Sequence, residues 1–187
     1  MTPKPLNIYF HCLDAAGHIG ACTGFAQPLA RRGHQITFLV SRDNAGKFAK
    51  YGFNEIILEP RPAPQPEKPQ PNHDGEPVNT VKVFAEMLLQ MGLLSGKSSL
   101  EKLKRGEIEF VISLYETMVH FDPQIGAAIE KGKPDVFVLD HFLVSPALLK
   151  SRVPWIHLYS SNPLALYDTD KLPPYGSGRI RLECKLD

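Results

Sequence analysis

Two side chains stand where chemistry could use them. His18 follows an apolar run, Leu6 to Cys12, and a short turn, Leu13-Asp14-Ala15-Ala16-Gly17, and it lies where a helix-like stretch begins. Asp140 closes a second apolar run, Asp135-Val136-Phe137-Val138-Leu139. If both runs are strands of a doubly wound parallel sheet ordered 3-2-1-4-5, they are neighbours at the switch point, and groups beyond their carboxyl ends can meet. A histidine held by a carboxylate has its tautomer fixed and its protonated form stabilised. Such a pair can take a proton from a hydroxyl nucleophile. The competing reading is helix capping, with His18 closing its own helix and Asp140 the next one.

Other chemistries are less well served. His11, Asp14, His18, Asp140 and His141 could gather near one sheet edge as metal ligands, but no HxH or HxxxH pair marks a preformed set, so no metal is expected. Gly96-Lys97-Ser98 has the end of a phosphate-binding loop, yet Met91 stands where that loop needs glycine, and no strand precedes it. The first turn lacks GxGxxG, and Leu39-Val40-Ser41 offers no acidic residue at the end of strand two, so a dinucleotide site is not supported. A GxSxG nucleophile elbow is absent, which disfavours a hydrolase. Cys12, Cys22 and Cys184 are an odd set without a CxxC pair, and the first two read as buried reduced thiols. His34, His73, His120 and His157 read as surface or core residues.

The elements that must carry His18 and Asp140 follow from periodicity. Residues 6–12 are apolar on both faces, as suits a central parallel strand. Ile19, Cys22, Ala26 and Leu29 form a helical stripe over residues up to Arg32, with Gly33 as its C′ residue. Gln35 to Val40 is the second strand, 43–51 a short helix, and Asn54 to Leu58 the third strand. Seven prolines then fall between Pro60 and Pro77, which predicts an extended surface loop over 60–78. Helices are expected over 79–94 and 99–131, the second broken in two at Pro123. Asp135–Asp140 is the fourth strand, Val144–Ser151 a short helix, Pro154–Ser160 the fifth strand, and the rest loop. This rhythm predicts right-handed βαβ units and an α/β sheet. With 187 residues, 43% hydrophobic, 22% charged and a net charge of +1, the chain suits one soluble domain and gives no argument for nucleic acid. No run approaches the ~18 apolar residues of a membrane span, and no signal peptide is legible, so a cytoplasmic protein is expected.

Several stretches together resemble the N-terminal half of UDP-glycosyltransferases of the GT-B fold. They are Asp14-Ala15-Ala16-Gly17-His18-Ile19, Arg32-Gly33-His34-Gln35-Ile36-Thr37-Phe38, Lys133-Pro134-Asp135-Val136-Phe137-Val138-Leu139-Asp140 and Val153-Pro154-Trp155-Ile156. Ser160-Ser161-Asn162-Pro163 and Leu172-Pro173-Pro174-Tyr175-Gly176-Ser177-Gly178 look like the stretches that follow. Arthropod and mite members look closest. The resemblance implies a Rossmann-like acceptor-binding domain over 1–178, an unassigned tail over 179–187, and a nucleotide-sugar domain that is missing. It implies inverting hexosyl transfer from a UDP-sugar to a hydroxyl of a small lipophilic acceptor, of the kind used in detoxification. His18 would be the general base and Asp140 its orienting partner. Asp14, Ala16, Gly17, His141 and Phe142 would line the acceptor site, with no cofactor or metal required. Gly20 departs from the family, where asparagine often stands. Without the donor domain the chain is expected to be inactive alone. An acceptor-binding or regulatory module without catalysis is the alternative.

Overall fold

The computed structural model describes residues 4–61 and 108–161 continuously, and 98–102 with isolated positions between 82 and 96. The proline-rich loop, the helix expected over 79–94 and the tail from 162 lie essentially outside the described residues. Two units are distinguished, Met1–Arg61 with Tyr115–Asn162, and Pro62–Leu114 with Pro163–Asp187. In the second, the described residues include one helical turn, Ser99–Lys102.

The first unit is built on β1 (Asn7–Cys12), β2 (Gln35–Ser41), β3 (Asn54–Leu58), β4 (Val136–Asp140) and β5 (Trp155–His157). They form one parallel sheet ordered β3-β2-β1-β4-β5, as the sequence predicts. β1 is central and pairs on both sides, His11 opposite Leu39 of β2 and Leu139 of β4, and Cys12 opposite Asp140. The sheet face is read off by alternation. Ile8, Phe10, Cys12, Phe38, Val40 and Val138 pack with Cys22 and Ala26 of helix α1 (Ala16–Arg31). Tyr9, Leu39, Phe137 and Leu139 pack on the other face with Met118, Phe121 and Ile125 of α2 (Ile108–Gly132) and Leu148 of α3 (Pro146–Ser151). Residues covered on both faces explain the unbroken apolar strands.

Local details differ from the sequence reading in physically clear ways. α2 runs unbroken through Pro123 over 25 residues instead of splitting there. Proline removes one N–H and crowds the preceding turn, at a cost of ~3 kcal/mol in an unsupported helix. Here the buried stripe of Met118, Phe121, Ile125, Ala128 and Ile129 runs past the proline on both sides and holds the two halves in line. Residues 43–51 form two 3₁₀ turns, Arg42–Asn44 and Ala49–Tyr51, rather than a helix. Glu55 explains the choice: its carboxylate accepts the N–H groups of Gly46, Phe48 and Ala49 at 2.7–3.0 Å, pinning the segment as a loop. α1 ends as expected, with Gly33 at φ 88° accepting the left-handed conformation after Arg32. α3 begins at Pro146, with Ser145 as its N-cap through the Leu148 N–H.

Candidate active site

His18 sits in the first turn of α1, and Asp140 is the last residue of β4. The register that sets Cys12 beside Asp140 brings the start of α1 over the end of β4. The Leu13 N–H donates to the Asp140 carbonyl at 2.9 Å, tying the two carboxyl ends together. His18 Nδ1 then lies 3.1 Å from Asp140 Oδ2. Capping does not account for either residue. α1 has no side-chain cap, its N-cap being Ala15, and Ser145 caps the helix that follows β4.

Asp140 is fully buried, and a buried carboxylate must be supplied with donors. Ser160 provides two: its Oγ donates to Oδ2 at 2.6 Å and its N–H to Oδ1 at 3.2 Å. The Cys22 thiol adds a weak donation at 3.8 Å. Contact with Cys12, burial and the neighbouring carboxylate all push the Cys22 thiol upward, so it stays protonated and donates. Both Cys12 and Cys22 are buried and free, matching the sequence reading.

The hydrogen positions follow from the partners. An ionised Asp140 only accepts, so His18 Nδ1 carries the hydrogen, shared with Ser160 Oγ at 3.0 Å. In the neutral ring the lone pair is then on Nε2, which has no hydrogen-bond partner among the described residues. This is the arrangement of an oriented general base. Ser160, which the sequence offers only within the Ser160-Ser161-Asn162-Pro163 stretch, is the member whose contact with Asp140 residue patterns missed. The signal was topological: β5 borders β4, so the residues beyond β5 reach the end of β4.

The other expected site residues are placed as follows. Asp14, Ala16 and Gly17 are exposed in and after the β1–α1 turn. Phe142 is 39% exposed and meets the His18 ring edge-on, centroids 6.0 Å apart. It also meets Tyr159 edge-on. His141 is buried, and its ring lies parallel to that of His11, centroids 5.7 Å apart. Burial first, then the neighbouring His11, hold His141 down at about 3, and burial likewise lowers His11. Among the described residues, no group of three or more His, Cys, Asp or Glu is arranged to hold a metal ion, so the five candidate ligands are not gathered. No helix among them is long and apolar enough to cross a membrane.

No protein-family model matches the sequence, and no curated protein matches it. Solved structures do match the fold. A glycotransferase of kitacinnamycin is 20% identical, with a TM-score of 0.50 over 85% of this chain and 31% of its own. The glycosyltransferase SnogD from Streptomyces nogalater is 15% identical, with a TM-score of 0.49 over 84% and 35%. Arabidopsis thaliana UGT89C1 complexed with quercetin is 16% identical, with a TM-score of 0.42 over 73% and 29%. The chain thus spans about a third of the length of these structures. Kinship to arthropod and mite members draws no support from them. At such identities the likeness establishes architecture: a five-stranded parallel sheet in the order 3-2-1-4-5 with flanking helices, the fold of the Rossmann-like N-terminal domain of GT-B glycosyltransferases.

Proposed function

We propose that this chain is the acceptor-binding half of a glycosyltransferase that uses a UDP-sugar. The observation that carries the proposal is the His18–Asp140 pair, 3.1 Å apart with the carboxylate fully buried. His18 Nε2 takes the proton of an acceptor hydroxyl as its oxygen attacks the anomeric carbon. The bond from that carbon to the diphosphate oxygen breaks on the opposite side, and UDP leaves with the bonding pair, so configuration inverts. Asp140 stabilises the imidazolium that forms, and Ser160 holds Asp140 in place. The exposed Phe142 ring beside His18 offers an apolar surface for a small lipophilic acceptor. Asp14, Ala16 and Gly17 border the same turn. No metal takes part in this scheme. The 187 residues bind acceptor, and turnover requires the donor site of a longer form.

Calorimetric titration of the chain with phenol acceptors, beside UDP-glucose and UDP, tests the first half of this. Binding of phenols without binding of nucleotide is the expected result; absence of any phenol binding overturns the acceptor assignment. In a form that turns over, His18→Ala is expected to lower kcat by about two to four orders of magnitude, the range for loss of a general base. An unchanged kcat removes His18 from the mechanism.

A further inference from the structure

A cleft of about 550 Å³ lies between the edge strand β3 and the second half of α2, on the face of the sheet away from α1. Its walls are apolar: Ile56 and Leu58 from β3, Ala127 and Ala128 from α2. The gap is there because the helix presents two alanines where longer side chains would reach the strand. One end of the cleft is formed by Tyr9, Lys131 and Gly132. That end lies at the amino ends of the strands, where Asn7, the first residue of β1, donates to the Gly132 carbonyl at 2.9 Å. His18 and Asp140 stand at the opposite, carboxyl ends, and neither lines the cleft.

Two polar groups of this end are uncommitted. Tyr9 is only 5% exposed, and its phenol reaches the cleft beside Gly132, where an added Cβ would collide with the hydroxyl. Burial pushes the phenol up, so at neutral pH it keeps its hydrogen and can donate. Among the described residues this hydroxyl has no hydrogen-bond partner and the Lys131 ammonium has no counter-charge. Polar side chains buried to this degree are almost always satisfied, so the phenol points to a group that arrives from outside. The protein's own carboxylates near the cleft are already held. Asp135 accepts the Asn7 N–H, Glu55 the N–H groups of Gly46, Phe48 and Ala49, and Glu59 the Arg42 guanidinium. Carbonyls at the end of α2 would repel an anion, but two of them are covered: Ile129 takes the Lys133 N–H and Gly132 the Asn7 amide. At the far end of the cleft the Gln124 amide is committed on both sides, accepting the Glu59 N–H and donating to the Glu59 carbonyl. The cleft is thus polar at one end and apolar along its length.

We propose that this cleft binds a monocarboxylate with an apolar body, its carboxylate held by the Tyr9 hydroxyl and the Lys131 ammonium. A carboxylate accepts from both groups and brings the negative charge that Lys131 lacks. A neutral alcohol satisfies the phenol but leaves the ammonium without a counter-charge. The body lies between β3 and α2, covering Ile56, Leu58 and the two alanines. From Gln124 to Gly132 the helix rises about 12 Å, similar to the length of an extended decanoate. This is a second ligand site, at the other end of the strands from His18, and it stands whether or not the acceptor-binding reading holds.

The test is calorimetric titration of the chain with decanoate and with decanol, which differ only in the head group. Decanoate is expected to bind about tenfold or more tighter, the range for a hydrogen bond to a charged group. Lys131→Met keeps an apolar stem without the charge and is expected to bring the two affinities together. Tyr9→Phe removes only the hydroxyl and is expected to weaken decanoate about three- to tenfold. Ala127→Leu, at an exposed helix position, is expected to fill the cleft and weaken both ligands. Amide NMR of the unmodified chain gives a readout independent of any variant. Signals of Ile56, Ile57, Ala128 and Lys131 are expected to shift with decanoate, and that of His18 to stay in place. Absence of decanoate binding, equal affinity for the two compounds, decanoate affinity unchanged in Lys131→Met, or shifts confined to residues outside the cleft each overturn the inference. None of these outcomes touches the acceptor-binding reading, which the phenol titrations and His18→Ala decide.

Discussion

A fully buried carboxylate has no water to fall back on, so each of its neighbours is committed. Asp140 takes His18 Nδ1, both donors of Ser160 and the Cys22 thiol. Asp140→Asn keeps the shape but puts an amide where acceptors are needed. The expected outcome is a folded protein in which His18 moves its hydrogen to Nε2, visible in the imidazole nitrogen NMR spectrum, with loss of basicity toward an acceptor. A His18 tautomer unchanged in the variant counts against the orienting role. The imidazole pair makes a separate prediction. His141 is held down to about 3 against an ordinary 6.5, and His11 is lowered too. The unfolded chain therefore binds more protons than the folded one below about 6.5. Stability is expected to fall as pH drops from about 6.5 toward 3, by up to ~1.4 kcal/mol per pH unit from the His141 ring, with His11 acting in the same direction. Urea midpoints measured across that range check it, and His141→Phe should flatten the slope. His18 and Asp140 were legible from sequence because each closes a pattern that ends at a known place in a sheet. The contact of Ser160 with Asp140 was not, because it depends on which strand lies alongside.

At the scale of elements, the short connections settle where the site lies. The segment between β4 and α3 is tied to α2: Asp122 accepts the Ser145 hydroxyl and, at 2.8 Å, the Ala147 N–H. It thereby anchors the stretch that holds His141 and Phe142. Sequence patterns placed every strand of the sheet to within a few residues, since continuous apolar runs bounded by Pro, Gly and charge leave little choice. They erred where a single residue was weighed without its surroundings. Pro123 looked like a break, but packing on both sides of it overrides local preference. The 43–51 segment looked helical, but Glu55, from β3, captures its N–H groups. The far end of α2 has its own constraint. A side chain at Gly132 would run into the Tyr9 phenol, coming within 2.6 Å of its Cζ, while Asn7 Nδ2 donates to the Gly132 carbonyl. Gly132→Ala is expected to destabilise the protein by about 1–3 kcal/mol, the usual cost of overpacking, as measured by denaturant titration. A stability equal to the parent's would mean that the Tyr9 ring yields freely.

At the scale of the molecule, the sheet is assembled from two stretches of chain. β1, β2 and β3 come from the first sixty residues, and β4 and β5 from the last described fifty. The seam between them is the β1–β4 ladder, closed at one end by the Asn7 N–H bond to Asp135, between residues 128 positions apart. Its other end is where His18 meets Asp140. Closing such a loop is entropically expensive and slow compared with pairing β1 to β2 and β2 to β3. In refolding followed by pulsed hydrogen exchange, amides of β1 and β2 that bond each other are expected to be protected before those of β4. Simultaneous protection of all five strands would show that the seam forms in the nucleus. During synthesis the same order holds in time. The ribosome delivers His18 long before Asp140, and Ser160, which lies 142 positions beyond the histidine, comes later still. The imidazole is thus an ordinary surface histidine for most of the nascent chain's life and gains its carboxylate and its hydroxyl only at the final zipping of the fold. Completion of the sheet and assembly of the His18–Asp140–Ser160 contacts go together, so a chain that stalls before the seam closes leaves His18 without those partners.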